Sequence, residues 1–230
     1  MSSDGTGPPE PASERTGESG PEPLHSDPIP PAQPGPEPEP IDAGPFPVVP
    51  GQSTFGPAVD AADARIDELL ERLRGHPAAD RLFATASHVG DFSLIWHAVG
   101  ITRGLATGRP DQVLVLAALI GAESLVVNQG VKRLFRRERP TLTGDQRLTV
   151  RRPSTSSFPS GHASAAAFAA TVLSGWDRWP WSALWWKIAA VVGISRAYVR
   201  IHHGSDVVAG ALLGVALGMV GRRVARRWAP

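Results

Sequence analysis

Lys132 and Arg139 lie in the block Lys132 to Pro140 (KRLFRRERP), and together they offer an ammonium and a guanidinium. Both groups suit phosphate oxygens, the guanidinium through a two-pronged fork. A second block, Pro159 to His162 (PSGH), opens an apolar segment. A helix starting there offers unpaired backbone N–H groups and the Ser160 hydroxyl to an anion. Gly161 lets the backbone come close, and His162 would stand beside the bound group. A third block, Ser195 to Asp206 (SRAYVRIHHGSD), adds Arg196 and sets His202 four residues before Asp206. If helical geometry holds locally, residues at that spacing can touch. A carboxylate on one ring nitrogen fixes the tautomer and makes the other nitrogen a better nucleophile. Together the blocks supply what phosphoryl transfer needs: charge stabilisation on oxygens, an in-line nucleophile and a leaving-group acid.

Each block also has a plainer reading. The first suits a solvated basic loop near anionic headgroups, and the second an N-terminal histidine without a role. The third suits a helix cap at Asp206 beside an interface histidine. The chain has no cysteine, which excludes thiolate metal sites, disulfides and cysteine nucleophiles. No His, Asp or Glu cluster has metal-ligand spacing, so neither a metal nor another cofactor is expected.

The elements that must carry these blocks are apolar. Five such segments follow residue 90: 91–108, 112–131, 161–176, 182–200 and 206–221. A spanning helix needs roughly 20 mainly apolar residues, with about 17 at the short end. The expected fold is therefore all-α: a polytopic transmembrane bundle of about five spans, within a membrane core at 91–222. Small residues in 161–176 and 206–221 suit close helix packing. The alternative is a soluble bundle with core helices of this length. Against it stand Trp176, Trp179, Trp181, Trp185 and Trp186, clustered between two apolar segments. Such rings favour the headgroup level. A basic end at 223–230 follows the core.

Two further segments precede it. Residues 1–57 hold 16 of the 23 prolines, nine of the 22 acids and one of the 23 bases. The rest of the chain therefore has 22 bases against 13 acids. A segment like 1–57 buries too little apolar surface to offset chain entropy, so it reads as a disordered acidic tail. Its first 40 residues lack the apolar stretch of a secretory signal. Over 58–90, Val59, Ala62, Ile66, Leu69, Leu70 and Leu73 recur at helical spacing. They predict an amphipathic helix at 58–75, lying on the membrane or on the protein body. Gly75 and Pro77 end it, and a short helix around 78–88 follows.

The three blocks in order, Lys-x6-Arg-Pro, Pro-Ser-Gly-His and Ser-Arg-x5-His-x3-Asp, resemble the signature of the type 2 phosphatidic acid phosphatases. The resemblance covers about residues 80–221 and includes Ser205 to Gly214 (SDVVAGALLG), similar to that family's last helix. It implies that His202 attacks phosphorus to form a phosphohistidine and that Asp206 orients it. It implies that His162 protonates the leaving oxygen and later activates water. Lys132, Arg139, Ser160, Gly161 and Arg196 would bind the phosphate. The partners implied are a lipid phosphate substrate and the bilayer, with no nucleic acid. Candidate substrates are polyprenyl diphosphates, phosphatidate, phosphatidylglycerol phosphate and polyprenyl phosphosugars. Ser87 to Gly90 (SHVG) resembles small actinobacterial members acting on polyprenyl substrates. The family often has His-Tyr-Pro where this chain has His202-His203-Gly204. The x5 and x3 spacing selects His202 over His203.

Arg222, Arg223, Arg226 and Arg227 suggest a cytoplasmic end. Walking back through the spans then puts all three blocks outside, on a multi-pass protein of the plasma membrane. The basic loop at 132–152 argues the other way, unless its charges serve a phosphate. Two competing readings are a non-catalytic lipid-binding protein and an enzyme like the vanadium haloperoxidases, which resemble this family at the anion site. The first predicts a lost nucleophile or acid, yet both histidines are present.

Overall fold

The computed structural model describes residues 54–140 and 155–229. The expected disordered tail, up to residue 53, and most of the basic loop lie outside these. The described residues form helices and no strand. Helix α1 (Pro57–Glu71) and helix α2 (Pro77–Val89) each begin at a proline, whose fixed φ suits the first helical turn. Between them Gly75 takes a left-handed φ of 85°. After a tight turn at Asp91–Ser93 comes α3 (Leu94–Thr107). Helix α4 (Pro110–Ser124) runs into a π-helical stretch, Leu125–Val131, and a last turn, α5 (Lys132–Leu134). Then follow α6 (Gly161–Trp176), α7 (Trp181–Tyr198) and α8 (Gly204–Trp228).

Among the described residues, two helices are long and apolar enough to cross a membrane: Pro110–Leu134 and Gly204–Trp228, each of 25 residues. At 1.5 Å per residue each rises roughly 37 Å, more than a hydrocarbon core of about 30 Å. Only 22% and 33% of their apolar windows are buried within the chain. Leu105, Leu114, Leu125 and Leu212 point outward. A core helix of a soluble bundle would bury such residues.

Helix α6 sits at the centre, with Ala163 through Leu173 buried without a break. It packs most extensively on α8 and α7. The α8 contact depends on glycine. A Cβ at Gly210 would lie 2.4 Å from the Ser160 carbonyl oxygen, and one at Gly214 2.1 Å from that of Ser164. The two backbones therefore touch, as in small-residue membrane packing. Trp96, Leu116, Phe168, Leu173 and Val192 fill the core.

Arg103, which interrupts the weakest apolar segment, is paired. It donates to both Asp177 oxygens (2.8 and 2.7 Å), and Trp185 Nε1 also donates to Asp177 (2.9 Å). The arginines of the basic end form the last turns of α8.

Helix α1 fully buries one residue, Asp63, while Leu69 and Leu73 stay exposed. It docks through Ile66 and Leu70 and through a line of acids. Asp67 and Glu71 meet Arg74 and Arg200. Arg74 in turn donates to the Tyr198 and Ala197 carbonyls (2.8 and 3.1 Å) at the end of α7. The last carbonyls of a helix have no partner within it, so a guanidinium there satisfies them.

Candidate active site

The three sequence blocks meet where α6 and α8 begin and α7 ends. Ser160 caps α6, its hydroxyl accepting from the Ala163 N–H, and its own N–H donates to the Asp206 carbonyl (3.0 Å). Lys132 reaches the same helix start, since a Cβ at Gly161 would lie 3.5 Å from its Nζ and 2.9 Å from Asn128 Oδ1. The helix carrying Lys132 ends at Leu134.

His202 lies in the turn between α7 and α8, not within a helix. The turn follows Arg200, which takes a left-handed φ of 55°. The N–H groups of Ile201 and His202 fold back onto the Arg196 carbonyl. His202 Nδ1 is 3.6 Å from Asp206 Oδ2, just beyond hydrogen-bond distance. Asp206 is wholly buried and accepts the His203 N–H (2.9 Å) at the start of α8. The cap reading of Asp206 and its approach to His202 thus hold together. His203 is turned away, its Nε2 donating to the Glu138 carbonyl (3.2 Å).

Arg139 donates to the carbonyls of Ile201 (2.7 Å) and Thr155 (3.0 Å), and its Nη1 stands 3.3 Å from His202 Nε2. Burial lowers its pKa to about 10, which still leaves it charged at neutral pH. Burial, with help from the Arg139 and Lys132 charges and against the pull of Asp206, pushes His202 far down, to about 3. The imidazole is thus neutral and its lone pair available.

His162 Nε2 is 2.9 Å from Asp91 Oδ1. That hydrogen bond holds the Asp91 carboxyl below its usual range. A Cβ at Gly90 would lie 2.8 Å from the His162 ring, so the α2 end packs on it. Arg196 donates to the Ser87 hydroxyl and carbonyl, and its Nη1 is 3.9 Å from Asp91.

All eight residues singled out from the sequence are joined in one connected set. Among the described residues, four buried side-chain polar atoms lack a hydrogen-bond partner. Three belong to this set: Arg139 Nε, Arg196 Nε and His202 Nδ1. Buried polar groups are ordinarily paired, and a tetrahedral oxyanion would pair two guanidinium nitrogens. No group of three or more His, Asp or Glu among the described residues is placed to hold a metal ion.

Sequence reasoning missed Asp91, Ser87, Arg137 and Asp63. Asp91 follows the SHVG stretch, but nothing local marks it as the partner of a histidine 71 residues away. Arg137 stood in the first block as one of its intervening basic residues. It donates to Asp206 Oδ1 (2.6 Å) and Asp63 Oδ2 (2.6 Å).

An apolar groove of about 680 Å³ opens between α2 and α7, with Leu82, Val89, Val191 and Val192 in its walls. A Cβ at Gly90 would lie 3.2 Å from Val192 Cγ1 and 2.8 Å from the His162 ring, so this wall of the groove stands near the His162 side of the site.

Residues 112–229 match the family model described as the PAP2 superfamily. A decaprenylphosphoryl-5-phosphoribose phosphatase of Mycolicibacterium smegmatis is 32% identical over 150 residues, 64% of this chain and 80% of that one. The crystal structure of a transmembrane PAP2-type phosphatidylglycerolphosphate phosphatase from Bacillus subtilis is similar, with a TM-score of 0.59 at 26% identity. The match covers 75% of this chain and 89% of that one. Aquifex aeolicus LpxE has the same fold, with a TM-score of 0.59 at 24% identity, covering 74% and 98%.

Proposed function

This chain belongs to the PAP2 superfamily of phosphatases, and from that premise we propose that it is a membrane enzyme that removes the terminal phosphate of a polyprenyl-linked phosphosugar. The observation that carries the chemistry is the buried, partnerless pair Arg139 Nε and Arg196 Nε beside a neutral imidazole. The substrate class rests on the mycolicibacterial relative. The apolar groove ending beside His162 suits a hydrocarbon chain on the leaving-group side.

In this reading Lys132, Arg139, Arg196, Ser160 and the Gly161 N–H hold the phosphoryl oxygens. His202 Nε2, the ring nitrogen turned from Asp206, attacks phosphorus. An N–P bond forms as the bond from phosphorus to the sugar oxygen breaks, and His162 gives that oxygen its proton. Asp206 balances the positive charge on the phosphorylated ring. Water then attacks phosphorus, His162 takes its proton, and the N–P bond breaks to release inorganic phosphate and free His202. Histidine is an established covalent nucleophile, and such proton transfer is worth about 10²–10⁴-fold. Asp91 would hold the His162 ring through Nε2, leaving Nδ1 to exchange the proton. No step calls for a metal.

We read α3, the α4–α5 helix, α6, α7 and α8 as five crossings with the site on the extracytoplasmic side of the plasma membrane. Such an enzyme serves envelope lipid or lipid-carrier metabolism.

The test is phosphate release by detergent-solubilised protein, with excess chelator, from polyprenyl phosphosugar, polyprenyl diphosphate, phosphatidate and phosphatidylglycerol phosphate. His202→Ala and acid-labile phosphoenzyme trapping accompany it. Chelator-resistant release that is fastest on the phosphosugar, with label on His202, is expected. Full hydrolysis by His202→Ala would overturn the mechanism. A faster rate on another lipid would overturn the substrate.

A further inference from the structure

Arg137 is a cation of the first block that is turned to carboxylates. Its Nη1 donates to Asp206 Oδ1 (2.6 Å) and the Ser205 hydroxyl (2.7 Å), and its Nη2 donates to Asp63 Oδ2 (2.6 Å). The Phe55 ring lies 5.2 Å from its guanidinium carbon, and Phe55 packs in turn on Phe158 and Phe135. The side chain is enclosed, and three of its five N–H donors are committed to Asp206, Ser205 and Asp63, whereas Arg139 and Arg196 each keep a buried Nε without a partner.

Asp63 is as fully engaged. Its Oδ1 accepts the Ser205 N–H (2.7 Å), and its Oδ2 accepts the Ser205 hydroxyl (2.8 Å) as well as Arg137. It belongs to α1, well before the segment matched by the family model, which begins at residue 112. The approach of α1 depends on Gly204, where a Cβ would lie 2.5 Å from Ile66 Cδ1. Gly204 falls where the chain departs from the family's common His-Tyr-Pro.

We propose that Arg137 and Asp63 are positioning residues for the nucleophile, through which the docked helix α1 holds the Asp206 carboxylate against His202. The proposal rests on the reading of His202 as nucleophile. Its physics is a sharing of charge. A buried guanidinium bonded to Asp206 alone would largely neutralise that carboxylate. Divided between two carboxylates, it fixes Asp206 Oδ1 in place and leaves net negative charge beside the imidazole. That charge is needed when phosphorylation makes the ring cationic. Asp63→Asn would let Arg137 neutralise Asp206, and Arg137→Gln would release the carboxylate's position.

The experiment uses the full chain in detergent and reads single-turnover phosphorylation of His202, KM and thermal midpoint. Wild type, Asp63→Asn, Arg137→Gln, the double variant and Arg139→Gln are compared. Asp63→Asn is expected to slow phosphorylation about 10-fold and Arg137→Gln about 30- to 100-fold, each with KM within about twofold of wild type. The double variant should be no slower than Arg137→Gln, because residues acting in series are not additive. Arg139→Gln, by contrast, should raise KM. Multiplicative effects in the double variant would overturn the proposal. So would a loss confined to thermal midpoint, or KM rising in step with the rate loss. Absence of phosphohistidine in wild type would instead overturn the nucleophile reading, a result distinct from all of these.

Discussion

Asp91 fixes the ring of His162 through one 2.9 Å hydrogen bond, so a general-acid role for His162 makes a sharp demand on it. Asp91→Asn should cost about 10- to 100-fold in kcat on a sugar-phosphate substrate, whose alkoxide needs a proton. It should cost under about threefold on nitrophenyl phosphate, whose leaving group needs none. Equal losses on both would remove the acid role. The buried His202 makes a second demand. With its pKa pushed to about 3, the nucleophile stays neutral at pH 5, so single-turnover phosphorylation should persist there. The sign for stability is opposite. The unfolded imidazole takes a proton near pH 6.5, and the folded one does not. Folding therefore weakens as pH falls below about 6.5, by up to about 1.4 kcal/mol per pH unit for one proton. His202→Gln should flatten that part of the thermal-midpoint profile. The eight motif residues were legible because their spacing is local and their chemistry specific. Asp91, Arg137 and Asp63 were not, because a carboxylate shows its partner only once a fold brings together residues 71 and 74 positions apart.

At the scale of elements, the site depends on how closely helices approach. Gly214→Leu drives a side chain into the Ser164 carbonyl of α6. It should cost about 1–3 kcal/mol or more, lowering the thermal midpoint and the activity together. Gly121, within α4, has nothing within 4 Å of a built Cβ. Gly121→Ala should instead be neutral or stabilise by about 0.5–1 kcal/mol, since glycine is the poorer helix former. At the α1 seam, Gly204→Ala should slow turnover by pressing on Ile66, and Ile66→Ala in the same chain should restore part of the loss. Apolar periodicity and proline made most helices readable to within a few residues. The acidic docking side of α1 was not readable, because Arg137 and Arg200 lie 74 and 133 positions from Asp63 and Asp67, the acids they meet. Arg103 lies within the apolar segment 91–108, and Asp177, 74 positions on, makes it an internal pair.

For the whole molecule, connectivity and charge argue the same orientation. Helix α3 starts beside Asp91 at the site, and α4–α5 returns to it at Lys132. Helix α6 leaves from Ser160, α7 returns at Arg196, and α8 leaves from Asp206 toward Arg222–Arg227. In the proposed arrangement, five crossings would bring the three sequence blocks to one face and the arginine-rich end to the other. By the positive-inside rule that end would lie in the cytoplasm, which is the orientation proposed. The lack of cysteine makes the arrangement directly readable with single introduced thiols. His76→Cys, exposed in the turn between α1 and α2, reports the site face, and Arg227→Cys reports the far end. In intact cells a membrane-impermeant maleimide should label the first and reach the second only after permeabilisation. The reverse pattern would put the site in the cytoplasm, and a lipid-linked substrate would then have to be dephosphorylated on the inner leaflet. Labelling of both in intact cells would mean an even number of crossings between residues 76 and 227 and would overturn the five-crossing arrangement.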